Sequence, residues 1–201
     1  MTEQLPNPFE YKTRAIKPQN CNVHVCRPRS NPVGLNQFDV ISRKEGKLLN
    51  DEDVLQFDLW NTSTHEAGHV VVARHFGLEA WGKIWRNEGS DPLAERSFLG
   101  RTSHPITTPF RWACIGFAGS FAEALHRRED EDPLSLHEEF HCNEQSASDM
   151  EAVKAHHQEW RAAKTAHSIL LRRLNEVRSV AQSLASPFLA EFKEQTGLRW
   201  N

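Results

Sequence analysis

The spacing of apolar residues changes along this chain, and each change predicts a different kind of element. Over residues 1–50 apolar positions show little periodicity, and prolines stand at 6, 8, 18, 28 and 32. Only 22–26 and 38–42 read as short strands, so this stretch is expected to be an extended, partly ordered arm. From Asp51 the pattern becomes helical. Asp51-Glu52-Asp53 supplies an acidic start, Val54, Leu55, Phe57, Leu59 and Trp60 fall on helical spacing, and Gly77 follows Val70, Val71, Val72 and Phe76 as a stop. Such an apolar helix belongs near the centre of a core. Gly68 inside it costs helix stability relative to alanine, which predicts a second backbone passing close to that face.

Aromatic and β-branched residues at 80–85 and 97–102 flank a polar connection containing Gly, Asp and Pro, which predicts a hairpin with a long loop. Its strand either covers the core or pairs at its edge with an extended peptide. Thr107 or Thr108 followed by Pro109 opens a second helix to about residue 126, and Gly116, Ala118 and Gly119 leave it one narrow face. The charged connection 127–143 is not expected to be rigid throughout. Helix formers dominate from Ser146, with helices expected at 149–163, 165–184 and 187–194. The predicted fold class is mainly α (α+β), with a small β-hairpin beside a central helix. The expected boundary lies near residue 50, separating the arm 1–50 from a helical domain 51–201.

Composition narrows the partners. With 24 basic and 27 acidic residues the chain carries a formal charge of −3, and its pI is near 6.4, so no basic footprint for nucleic acid is present. No apolar run is long enough to span a bilayer, and no signal-peptide core opens the chain. A soluble cytoplasmic protein is expected, with neither nucleic acid nor membrane as partner. Cys21, Cys26, Cys114 and Cys142 are too few and scattered for a disulfide scaffold and are expected to be free thiols. Cys21-Asn-Val-His24-Val-Cys26 fits no ordinary zinc spacing and reads better as a partly buried strand than as a thiolate that masks a metal.

The chemistry concentrates in His65-Glu66-Ala67-Gly68-His69. Histidines at i and i+4 lie about 40° apart around a helix, so both imidazoles reach one ion while Glu66 sits beside it. A bound Zn²⁺ lowers the pKa of its water to about 7, and the glutamate takes the proton as that water attacks a carbonyl. Ser63-Thr64-His65-Glu66 is also a capping box, but a helix that starts at Asp51 puts Glu66 where no free amide needs a cap. A catalytic zinc takes a third protein ligand. Glu123 on the second helix and Asp149 at the start of the third are both suited, ahead of His137, His141, His156 and His157 in polar segments. Asp149 has another explanation too: an acid in a first helical turn favours the dipole, and Ser148-x-x-Glu151 resembles a capping box.

These stretches together resemble the protease domain of FtsH-type membrane AAA proteases. His65-Glu66-Ala67-Gly68-His69 is that family's variant of the motif, and Phe98-Leu99-Gly100-Arg101-Thr102 is similar to its strand with a glycine near the active site. Gly116 to Glu123 resembles its glycine-rich helix ending in Ala-Glu, Ser146-Ala147-Ser148-Asp149-Met150 its segment carrying the third zinc ligand, and 169–184 its closing helices. The likeness covers roughly 53–190 in the family's order. It implies a zincin-like helical peptidase domain with zinc on His65, His69 and Asp149, Glu66 as base, and Glu123 in a supporting role. Gly119-Ser120 departs from the glycine pair and arginine usual in the family's second helix, and no ATPase module, phosphate-binding loop or membrane helix is present in this sequence.

The expected function is therefore an ATP-independent zinc metalloendopeptidase acting on flexible or unfolded polypeptide. A zinc-stabilised binding or regulatory protein without turnover, and a regulator protease of narrow specificity, are the alternatives. The family's ring of six leaves a homo-oligomer open, although much of that ring is shared with the ATPase module.

Overall fold

The computed structural model describes residues 11–16, 23–28, 40–42, 51–88, 96–128, 132–142 and 145–196. The chain divides into two compact units, 1–58 with 86–98, and 59–85 with 99–201.

In the first unit, β1 (Tyr11–Ile16), β2 (Val23–Pro28) and β3 (Val40–Ser42) form an antiparallel sheet in sequence order, with Tyr11 opposite Pro28 and Val23 opposite Ser42. β2 and β3 fall on the two stretches that read as strands. β1 was not anticipated, because Lys12 and Arg14 alternate there with Tyr11, Thr13 and Ala15 and leave no apolar run. Cys21 lies outside the described residues, and Cys26 stands on β2. The same unit holds residues 51–58 of the long helix α1 (Asp51–His75). The buried Asp58 carboxylate accepts the Ser97 backbone N–H at 2.8 Å, and Asn87 N–H donates to the Ser97 carbonyl at 2.9 Å.

The second unit is built around α2 (Pro109–Arg128), which packs against α3 (Pro133–Cys142), α4 (Ala147–Lys154), α5 (Glu159–Arg172) and α6 (Leu174–Thr196). α2 begins at Pro109, whose missing N–H costs nothing in a first turn. Its residues Ala113, Phe117, Ala118, Phe121, Ala122 and Leu125 are buried with Val70–Val72 of α1. Gly68 sits where a Cβ would run into the Ala118 carbonyl and the Ala122 methyl, so the close backbone that its presence predicted is α2. α1 ends at a left-handed Gly77 (φ 76°), with Gly77 N–H bonded to the Arg74 carbonyl and Leu78 N–H to that of Ala73, the pattern of a Schellman cap. β4 (Trp81–Arg86) and β5 (Phe98–Ser103) then form the small two-stranded sheet expected of the hairpin.

The described residues are thus mainly helical with two small sheets, but the helices after α2 depart from expectation. Part of the 127–143 connection is α3, started by Asp132, whose carboxylate accepts from the N–H groups of Leu134 and Ser135 ahead of Pro133 at the first helical position. The helix expected at 149–163 stops at Lys154, and that at 165–184 breaks at Arg173; neither break contains Gly or Pro. Conversely, Pro187 does not start a new helix. It lies inside α6, where the Ser186 hydroxyl donates to the Ser183 carbonyl that proline's missing N–H would leave open. Among the described residues, no helix is long and apolar enough to cross a membrane.

Candidate metal centre

Three elements of the second unit bring side chains of α1, α2 and α4 to one point. On α1, Ser63 does not cap a helix start: its hydroxyl donates to the Leu59 carbonyl at 2.7 Å, one turn back within a continuous helix. The capping-box explanation of His65-Glu66 is therefore excluded. His65 and His69 project from adjacent turns, their ring centroids 4.7 Å apart and nearly perpendicular. α4 supplies Asp149. Its cap is Ser146, whose Oγ accepts from Asp149 N–H at 3.1 Å, so the capping role assigned to Ser148 and Glu151 falls away. The Asp149 carboxylate is left to reach back to α1, with Oδ2 3.3 Å from His65 Nε2 and Oδ1 3.4 Å from His69 Nε2.

Both rings are oriented from behind. His65 Nδ1 is 2.6 Å from Glu123 Oε1, and His69 Nδ1 is 2.7 Å from the Ile115 carbonyl, both on α2. These acceptors demand an N–H at each Nδ1, so neutral imidazoles present a lone pair at each Nε2. Two lone pairs and a carboxylate then face one another in a buried site, an arrangement that requires a cation or a proton. Without a metal the proton is held hard. Burial opposes a charged His65, but hydrogen bonds to Asp149 and Glu123 and their charges outweigh it and push its pKa up to about 10. Asp149 is the counterpart: burial would raise its pKa, yet the charge of His69 and the hydrogen bond from His65 bring it down to about 2.

The donor set fits a zinc-class ion. His65, His69 and Asp149 each offer an atom, all within 4.8 Å of one another. Zn–N and Zn–O bonds of about 2.0–2.1 Å at tetrahedral angles separate donors by about 3.3–3.4 Å, which the two His–Asp distances match. A ring nitrogen bonded to a carboxylate or carbonyl behind a metal-facing one is the usual support of such histidines. Gly119 makes room for this geometry, because a Cβ there would lie 2.5 Å from His65 Nε2 and 2.6 Å from His69 Nε2.

Glu66 is turned elsewhere. It is buried, and its Oε2 accepts from Thr102 Oγ1 of β5 at 2.7 Å. Gly100 on the same strand lies so close that an added Cβ would overlap the Glu66 carboxylate, and Gly82 of β4 passes the Glu66 Cβ. Glu66 is thus pinned against the sheet, and its carboxylate is not part of the His65, His69 and Asp149 group. On β4, Trp81, Lys83 and Trp85 face outward, with Trp81 54 % exposed. Cys114 is buried and free, and burial pushes its thiol up to about 12, which makes it a packing residue.

Of the residues singled out by the sequence, His65, His69 and Asp149 converge, Glu123 stands behind His65, and Glu66 faces β5. His137 and His141 do not join them but form a separate group with Glu159. The signal for that group was present: His137-Glu138-Glu139-Phe140-His141 repeats the H-E-x-x-H spacing, in a stretch read as a connection. Thr102 and the Ile115 carbonyl carried no signal, since a strand threonine and a backbone oxygen look alike everywhere. No protein-family model matches this chain, and no curated protein matches it.

Proposed function

We propose that this chain is a zinc metalloendopeptidase of the FtsH-like, zincin type, in which His65, His69 and Asp149 hold the metal and Glu66 is the general base. The observation that carries the reading is the buried convergence of both Nε2 atoms on the Asp149 carboxylate, with both Nδ1 atoms committed to α2. The order of motifs shared with the FtsH-type domain supports it. Bound zinc would supply the Lewis acid that polarises a scissile carbonyl and acidifies the attacking water. Glu66 accepts that water's proton and returns it to the leaving amine. Thr102 fixes which carboxylate oxygen is free, since Oε2 already accepts its hydroxyl. Glu123 and the Ile115 carbonyl keep the two rings aimed.

β4 and β5 pass directly beside Glu66, and an extended polypeptide adding along this pair would bring its carbonyls to the site by main-chain hydrogen bonds. Such binding reads backbone rather than side chains and suits flexible or unfolded substrate, cleaved without ATP. The test is a zinc assay coupled to cleavage of a disordered protein. Wild type is expected to carry zinc and cleave, and Glu66→Gln to keep zinc while activity falls about 10²–10⁴-fold. Undiminished cleavage by Glu66→Gln sinks the assigned base. Bound zinc with no cleavage of any disordered substrate replaces the enzyme with a zinc-stabilised binding protein.

A further inference from the structure

α3 and α5 carry a second set of metal-ligand side chains, on the two helices that flank in sequence the helix bearing Asp149. His137 and His141 stand one turn apart on α3, and Glu159 opens α5; their donor atoms lie within 4.8 Å of one another. His141 Nε2 is 3.3 Å from His137 Nε2 and 3.6 Å from Glu159 Oε2. Two imidazole nitrogens at that separation face each other only with a proton or a cation between them, and about 3.3–3.4 Å is again the spacing of two donors on a tetrahedral zinc.

The rings are backed by apolar packing. Phe117 of α2 lies 5.6 Å from the His137 ring and 6.3 Å from that of His141, and Trp160 meets His137 edge-on at 5.5 Å. The two helices that carry the donors are independently anchored, α3 by buried Leu136 and Phe140 and α5 by buried Ala162, Ala163 and Ala166. The donors are therefore placed by the fold before any ion arrives.

We propose that His137, His141 and Glu159 form a second binding site, for a divalent transition-metal ion of the zinc class, and that the ion clips α3 to the first turn of α5. His141 and Glu159 side chains are 36 % and 38 % exposed, so the ion is open to solvent and exchanges more readily than one in the buried centre. The clip acts on the segment that leads to Asp149. Beyond α3, Gln145 donates to the Phe140 carbonyl at 3.1 Å and accepts from Ser120 Oγ at 2.5 Å, and Ser146 then caps the helix that bears Asp149. Fixing α3 fixes the start of α4.

The experiment is a calorimetric titration of the metal-free full chain with Zn²⁺. Wild type is expected to bind two ions, the weaker of which disappears in His137→Ala/His141→Ala and weakens at least about tenfold in Glu159→Gln, a surface variant that keeps the test alive if the double variant misfolds. Hydrogen exchange of residues 133–142 is expected to slow by up to about a hundredfold at a hundredfold excess of zinc over Kd, in wild type only. A second ion that persists in both variants, a wild type that binds one ion unaffected by them, or α3 exchange indifferent to zinc overturns the proposal. A single ion lost in His137→Ala/His141→Ala would instead uphold this site and sink the buried one, so the two readings fail separately.

Discussion

His65-Glu66-Ala67-Gly68-His69 and His137-Glu138-Glu139-Phe140-His141 are the same five-residue pattern on two helices, each joined by a carboxylate from another helix, and they are chemically far apart. In the first, both Nδ1 atoms are held by acceptors on α2, the intervening glutamate is buried against β5, and glycines at 100 and 119 clear the space around the carboxylate and the rings. In the second, Glu138 faces solvent, and His141 and Glu159 are more than a third exposed. Spacing puts two imidazoles within reach of one ion in both places. Burial and the partners behind the rings, not spacing, separate the site proposed for hydrolysis from the one proposed as a structural clip.

The sharpest way to break the contrast is Gly119→Ala. A methyl there must displace two rings that their Nδ1 bonds hold in place, and the buried centre is expected to lose zinc by at least about a hundredfold in affinity, taking activity with it. The exposed site should bind as before. Zinc competition against a chelating indicator, read on Gly119→Ala combined with Glu159→Gln, isolates the effect; full retention of tight zinc would mean that the rings move freely and that their orientation is not built in. A smaller effect is expected from Glu123→Ala, which leaves the buried His65 N–H without that acceptor. Zinc affinity should fall about 10–100-fold. Glu123→Gln keeps an acceptor oxygen and should recover most of the loss in the same assay, whereas equal losses for both would assign the effect to charge.

What the sequence disclosed follows the same division. The long helix through His69, the hairpin with Gly100 and the Pro109 start were legible because each is written in local spacing and punctuation. Which of Asp149 and Glu123 faces the Nε2 atoms was not legible from physics alone: both are acids on helices, and only the packing of α4 against α2 decides which carboxylate lies there and which lies at the back of a ring. α3 was misread because acidic residues and a proline mask its code, although Asp132-Pro133 is a helix start and Leu136 and Phe140 are four apart. The breaks at 155–158 and at Arg173 are tertiary choices, made where α5 swings its alanine face onto α2 with no local residue that requires a stop.

The smallest expected effect is also the one that most directly weighs the two patterns as parts of the fold. In metal-free protein His141→Ala removes a ring whose edge lies against Phe117 and Phe140, but those two aromatics keep each other at 4.7 Å, and the histidine itself is open to solvent. A surface substitution of this kind shifts stability by no more than about 0.5 kcal/mol. In a chain of this length that is a change in Tm of about 1–2 °C, measured by calorimetry with a chelator present. Saturating zinc should widen the gap, because wild type gains the energy of the clip and the variant does not. A large loss in the metal-free state would make His141 a core residue of α3, and the exposed pattern would then owe its geometry to packing alone. A gap that zinc leaves unchanged would say that α3 is held without any ion.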